Sequence, residues 1–207
     1  MKRSLRLIWP ALLLLIAVIC LAAPVLNLSD PLKMSMGQRF AAPSYAFPLG
    51  QDEMGRDILS RLIFGMRISL FIALSTAILS GIIGTALGIF GGYMRGFSEI
   101  ITLRAMDVVL CFPPLLLAML AVTLYGPGPM TLIPVLSAVF VPGFTRIAYS
   151  SVLTVRSQDY VEAVRAMGAS NGHIMLKTIL PNIMGPILVQ VSFVTAAAVV
   201  LESGLSF

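Results

Sequence analysis

Four stretches of this chain contain no charged residue: Leu7 to Ser29 (23 residues), Ile68 to Met94 (27), Val108 to Thr145 (38) and Thr178 to Leu201 (24). A helix needs about 20 apolar residues to cross a hydrocarbon core of about 30 Å. Each run is long enough, and the third is long enough to be divided. Only 11% of the 207 residues are charged and 58% are hydrophobic, where a soluble domain carries about 25% charged residues. The chain therefore reads as an all-α polytopic membrane protein. Its +5 net charge is scattered between apolar runs and makes no continuous basic stripe, so nucleic acid is not an expected partner. Cys20 and Cys111 lie inside apolar runs without ligands at metal spacing, and they read as small buried side chains.

Five spans are predicted. Lys2, Arg3 and Arg6 precede the first, at roughly Ile8 to Leu26. Its apolar stretch is longer than a signal core, and no clear cleavage site follows it. The domain layout is then a basic N-terminus and first span (1–26), an external linking segment (27–67) and a bundle core (68–207). Pro31, Pro43 and Pro48 prevent one long helix in the first half of the linking segment. Asp52, Glu53 and Asp57 fall near the start of a helix expected from Asp52 onward, whose exposed amides favour negative charge. The second span, Ile68 to about Phe90, places Ser80, Gly84, Gly88 and Gly92 on one face at intervals of four. Such a ladder of small residues suits close helix packing in lipid without naming the partner helix.

The third span is expected from Thr102 to Tyr125, the Gly126–Pro129 sequence as a turn, and a short fourth span from Met130 to Thr145 containing Pro134 and Pro142. The fifth covers about Ile183 to Leu201. With the amino end inside, nine basic side chains fall on the cytoplasmic side and five outside, in keeping with the positive-inside rule. That topology makes residues 146–181 a cytoplasmic region. Within it, Ser157 or Asp159 is placed to cap a short helix ending at Gly168, and Ser170 or Asn171 to cap a second helix that breaks at Pro181. Two short helices meeting at a glycine make either a protein-docking knob or an interfacial pair touching only lipid headgroups.

Arg104 and Asp107 are spaced for an ion pair at the membrane boundary, with a gating role or plain solvent contact as alternatives. Glu202 either borders a pathway or sits at headgroup level, and His173 is expected to be exposed. No Gly-x4-Gly-Lys-Ser/Thr phosphate loop and no local catalytic arrangement occurs.

The segment EAVRAMGASNGHIMLKTILPN, from Glu162 to Asn182, resembles the cytoplasmic EAA loop of binding-protein-dependent ABC importer permeases. Glu162, Ala163, Gly168, Leu180 and Pro181 match that pattern; Val164 replaces its second alanine, and Thr178 stands where many members have isoleucine. PLGQDEMGRDILSRLIFGMRISL, from Pro48 to Leu70, resembles the dipeptide, oligopeptide and nickel subfamily. GGY at Gly91 to Tyr93, Arg104 to Asp107, Pro113, GPG at Gly126 to Gly128 and ESGLSF at Glu202 to Phe207 are similar to it as well. The resemblance implies a permease subunit in a bacterial inner (plasma) membrane, with no cofactor bound directly and ATP used by partner subunits. Its partners would be a second homologous permease, two cytoplasmic ABC ATPases, an external solute-binding protein and membrane lipid. Glu162 to Gly168 would form the coupling helix. Dipeptides or oligopeptides are the first expectation for the solute, with nickel or another small solute as the alternative, and a noncatalytic membrane scaffold as the competing reading. Members of the subfamily continue past an SLSF-like sequence into a sixth span, so the sequence as given is expected to lack that last span.

Overall fold

A computed structural model describes residues 16, 18–20, 22–23, 29–35 and 39–205. Most of the expected first span, together with Lys2, Arg3, Arg6 and the final two residues of ESGLSF, lies outside the described residues. The chain divides into two compact units, residues 1–71 and 72–207. The described residues form helices and turns: α1 (Ile58–Met94), α2 (Phe97–Leu110), α3 (Pro114–Tyr125), α4 (Pro129–Arg156), α5 (Asp159–Ala166), α6 (Asn171–His173), a wide π-helical turn (Ile174–Ile179) and α7 (Leu180–Leu205). Three helical stretches, Ile58–Met94, Pro129–Arg156 and Asn171–Leu205, are long and apolar enough to cross a membrane, and the bent pair α2–α3 makes a fourth if it is one span.

In the first unit, Asp52 organises a turn rather than the first turn of a helix. Its carboxylate accepts from the amides of Met54 (2.8 Å) and Arg56 (2.9 Å), from Arg56 Nε (2.8 Å) and from the Arg61 guanidinium. The helix expected from Asp52 begins instead at Ile58, because Asp57 acts as its cap. Asp57 accepts from the Leu59 amide at 3.1 Å and from the Ser60 hydroxyl at 2.5 Å, satisfying donors that have no partner within the helix. Gly55 must be glycine here: its φ is 69°, and an added Cβ would stand 2.0 Å from the Ser35 carbonyl oxygen. Shielding from solvent opposes charge on Asp52, but the hydrogen bonds from Arg56, Met54 and Arg61 outweigh it and hold the carboxyl well below the usual carboxylate range.

α1 has 37 residues, about 55 Å at 1.5 Å per residue. That exceeds the hydrocarbon core, so it carries its charged first turns beyond the apolar layer. In the second unit the ladder residues of α1 lie against α4. A Cβ built on Gly84 would come within 2.5 Å of Phe144 Cβ and 2.7 Å of the Val141 oxygen. One on Gly88 would be 2.5 Å from the Thr145 oxygen and 2.6 Å from Ala148 Cβ, and one on Gly92 would be 3.0 Å from Val152 Cγ1. Ser80, also buried, turns its hydroxyl back to the Thr76 carbonyl at 2.6 Å. Phe144, Ala148 and Val152 join Val161, Ile174, Ile179, Ile183 and Val194 in a core shared by α4, α5, the π turn and α7.

Several sequence boundaries need correction. The third span is not one straight helix: α2 and α3 meet at an angle of 74°. Pro113 and Pro114 cause the break, since neither supplies an amide donor and proline disfavours helix in the residue before it. Cys111 sits at that bend and is exposed rather than buried, its thiol donating to the Asp107 carbonyl at 3.3 Å. The fourth span is longer than expected: α4 runs 28 residues through Pro134 and Pro142 and continues to Arg156, so its last turns belong to the region read as a cytoplasmic loop. Nor does the helix break at Pro181. The widened turn at Ile174–Ile179 directly precedes it, loosening the geometry where proline would otherwise collide with the preceding turn, and the helix continues to Leu205. Glu202 is buried within the protein.

Two outcomes follow. Gly88→Val should destabilise the detergent-solubilised protein by about 1–3 kcal/mol through overpacking, whereas Gly65→Ala, with open space around its Cβ position, should not; thermal unfolding compares them. Asp52 contributes stability that is whole above the ordinary carboxylate pKa of about 3.9 and is lost as pH falls further. Asp52→Asn should therefore be less stable than the parent at neutral pH, with the difference shrinking on acidification below pH ~4.

Candidate coupling site

α5 has eight residues, too few to hold a helix in water by propensity alone. Gln158 occupies its N-cap position without a side-chain cap. Ser157, one of the two expected caps, instead donates to the Thr154 carbonyl at 3.0 Å, and Asp159 is the first helical residue. What fixes α5 is burial of Val161, which is fully enclosed, and of part of Val164 against the second-unit core. Its opposite side carries Glu162 and Ala163 into solvent, along with Tyr160 (43% exposed) and Met167 (78% exposed). A helix buried on one side and exposing Tyr and Met on the other offers a partner amphipathic contact area.

Gly168 ends α5. Its φ is 84°, its amide donates to the Arg165 carbonyl at 3.0 Å, and the Ala169 amide donates to the Val164 carbonyl at 3.4 Å. These two bonds form a Schellman motif, whose left-handed position favours glycine. Ser170 then caps α6, accepting from the His173 amide at 3.4 Å, and His173 is exposed. Leu180 packs half-buried against the core beneath α5, while Pro181 lies exposed on α7. The structure thus gathers Glu162, Ala163 and Gly168 into one projecting element, and places Leu180 and Pro181 at the start of α7, just after the π turn that packs against α5.

Polar links in this region join residues far apart in sequence. Arg156, at the end of α4, donates to the carbonyls of Gly92 (3.1 Å) and Tyr93 (3.3 Å) in the last turn of α1. The Tyr93 hydroxyl donates to Asn171 Oδ1 at 3.1 Å and accepts from Arg165 at 3.3 Å, with the guanidinium carbon 5.5 Å from the ring centroid. Arg165 therefore turns to Tyr93 rather than to Glu162, three residues away. Between α2 and α4, the Tyr149 hydroxyl hydrogen-bonds Glu99, and Asp107 meets Arg146 at 2.8 Å. Arg104, the partner expected from sequence, is 3.7 Å from Asp107. Among the described residues no three His, Cys, Asp or Glu side chains gather as metal ligands would.

Residues 84–207 match the family profile described as binding-protein-dependent transport system inner membrane component. The chain belongs to this family. It is 37% identical over 206 residues to a putative peptide transport system permease protein of Brucella suis, covering all of this chain and 69% of that relative. To the di/tripeptide transport system permease protein DppC of Pseudomonas aeruginosa it is 36% identical over 201 residues, 94% of this chain and 66% of that protein. To the dipeptide transport system permease protein DppC of Bacillus subtilis it is 34% identical over 206 residues, all of this chain and 64% of that protein. The chain spans about two-thirds of the length of these relatives. It is a multi-pass inner-membrane permease component, and the projecting element just described falls within the matched region.

No atom lies within 4 Å of a Cβ added to Gly168, so substitution there is limited by backbone conformation alone. Gly168→Val should cost about 1–2 kcal/mol, the penalty for a left-handed L residue. Gly172→Ala, also in open space but helical, should be neutral or slightly stabilising. Thermal unfolding of the two purified variants checks the contrast.

Proposed function

We propose that this chain is a transmembrane pathway subunit of an ATP-driven importer of dipeptides or oligopeptides, with α5 as the helix that docks into a groove of a cytoplasmic ATPase. The observation that carries the docking assignment is the two-sided character of α5. Val161 is fully buried in the second-unit core while Tyr160, Glu162, Ala163 and Met167 stand exposed, immediately before a glycine-terminated turn. Peptide import rests on the functions named for the relatives from Brucella, Pseudomonas and Bacillus.

On this reading the amino end and residues 157–181 face the cytoplasm, and two ATPases close on binding ATP. Their closure displaces α5 of this chain and the equivalent helix of a second permease. Because α5 follows α4 after only Ser157 and Gln158, its displacement tilts the transmembrane helices between outward-open and inward-open arrangements. An external binding protein delivers the solute. Residues 1–26, 27–67 and 68–207 serve as membrane anchor, external linker and permease core, respectively. The chain's own residues supply shape and motion, and the partner ATPases supply ATP hydrolysis.

Vesicles containing the complete partner set should import di- or oligopeptides in an ATP-dependent manner and should not import nickel. Import of nickel alone would overturn the solute assignment, and absence of import of either would overturn the permease reading. In the same vesicles Gly168→Val should keep ATPase binding while import falls, because the docking helix is set at a different angle. Wild-type import by that variant would remove the role assigned to the turn.

A further inference from the structure

α5 is joined covalently to α4 on one side and, through Gly168 to Ser170, to α6 on the other, yet its firmest polar contact is with neither helix. That contact is Tyr93, in the last turn of α1. Tyr93 is buried, and its hydroxyl is both donor, to Asn171 Oδ1 at 3.1 Å, and acceptor, from Arg165 at 3.3 Å. The Arg165 guanidinium also lies over its ring, an arrangement favourable to a cation and a π face. Arg156 completes the junction by donating to the Gly92 and Tyr93 carbonyls, which at a helix C-terminus have no partner within the helix. Gly92 lets α1 approach Val152 of α4 closely at the same level. The end of α4, the coupling helix and the start of the following helix therefore converge on the end of α1, Arg156 on its last carbonyls and Arg165 and Asn171 on the Tyr93 phenol.

Resting on the reading of α5 as the docking helix, we infer that Tyr93 is a positioning residue that transmits displacement of α5 into α1. Without it, α5 would pull on α4 through the chain and on the core through Val161 and Val164, but α1 would follow only through the α1–α4 contact. With it, α1 and α4 move as one lever. A phenylalanine keeps the ring beneath Arg165 but removes the oxygen that Arg165 and Asn171 share, so Tyr93→Phe separates the junction from simple core packing. Asn171→Ala removes the acceptor alone, at an exposed position.

The experiment uses the complete complex with Cys20 and Cys111 replaced by serine and spin labels on cysteines at Met94 and Ala166, both exposed. It measures the label-to-label distance distribution, and, in vesicles, solute imported per ATP hydrolysed. Tyr93→Phe and Asn171→Ala should each broaden the distribution and lower import per ATP severalfold while ATP hydrolysis continues. An unchanged distribution width, or unchanged import per ATP in an assembled variant, would overturn the inference. If the parent complex imports nothing, the functional reading fails instead, and the width still decides whether Tyr93 holds the helix.

Discussion

The backbone contact between α1 and α4 is the constraint on which the rest of the second unit depends. In lipid, burial of apolar side chains gives helices little reason to choose each other over acyl chains, so association relies on van der Waals contact and interhelical hydrogen bonds. Gly84, Gly88 and Gly92 supply that contact by letting Val141, Thr145, Ala148 and Val152 reach the α1 backbone. Once the two helices touch along this line, the carbonyls at the end of α1 come within reach of Arg156, and Tyr93 meets the segment that follows α4. The position of α5 thus depends on packing that begins at Gly84, more than two helical turns before Tyr93.

Polar groups then fix what packing leaves adjustable. Each tie between helices uses residues distant in sequence: Tyr149 with Glu99, Arg146 with Asp107, and Tyr93 with Arg165 and Asn171. The α2–α3 pair, bent at Pro113 and Pro114, is held to α4 by the first two of these. In the first unit the same logic is local: Asp52 gathers Arg56 and Arg61 around one turn, and Asp57 starts α1.

Much of the architecture was legible because charge-free runs and small-residue ladders are direct consequences of a lipid solvent. The all-α, multi-spanning class followed from the positions of charges alone, and the Glu162–Asn182 pattern pointed to the family. What failed was local and has physical causes. A helix start was read at Asp52 from acidic residues, but Asp57 performs the capping. The Pro113–Pro114 break was passed over because an apolar run gives no sign of a bend unless adjacent prolines are weighed. Conversely, Pro181 was given the power to stop a helix that the preceding π turn allows to continue. Arg146 and Tyr93 were missed as site residues since their partners lie 39 and 72 or more positions away, and a charge or a phenol at a span boundary carries no label of its long-range partner.

The central claim is that α5 presents its exposed side to a cytoplasmic ATPase. Cross-linking tests it most directly: a cysteine at Ala163, in the Cys20 and Cys111 serine background, is alkylated with a short thiol-directed photo-cross-linker, whose photogenerated carbene inserts into a C–H or N–H bond of its neighbour, in membranes containing the full complex. The account predicts a covalent adduct between this chain and an ATPase subunit, with import lost when the adduct forms. An efficient adduct from a cysteine at Ser44 in the first unit, with none from Ala163, would contradict it.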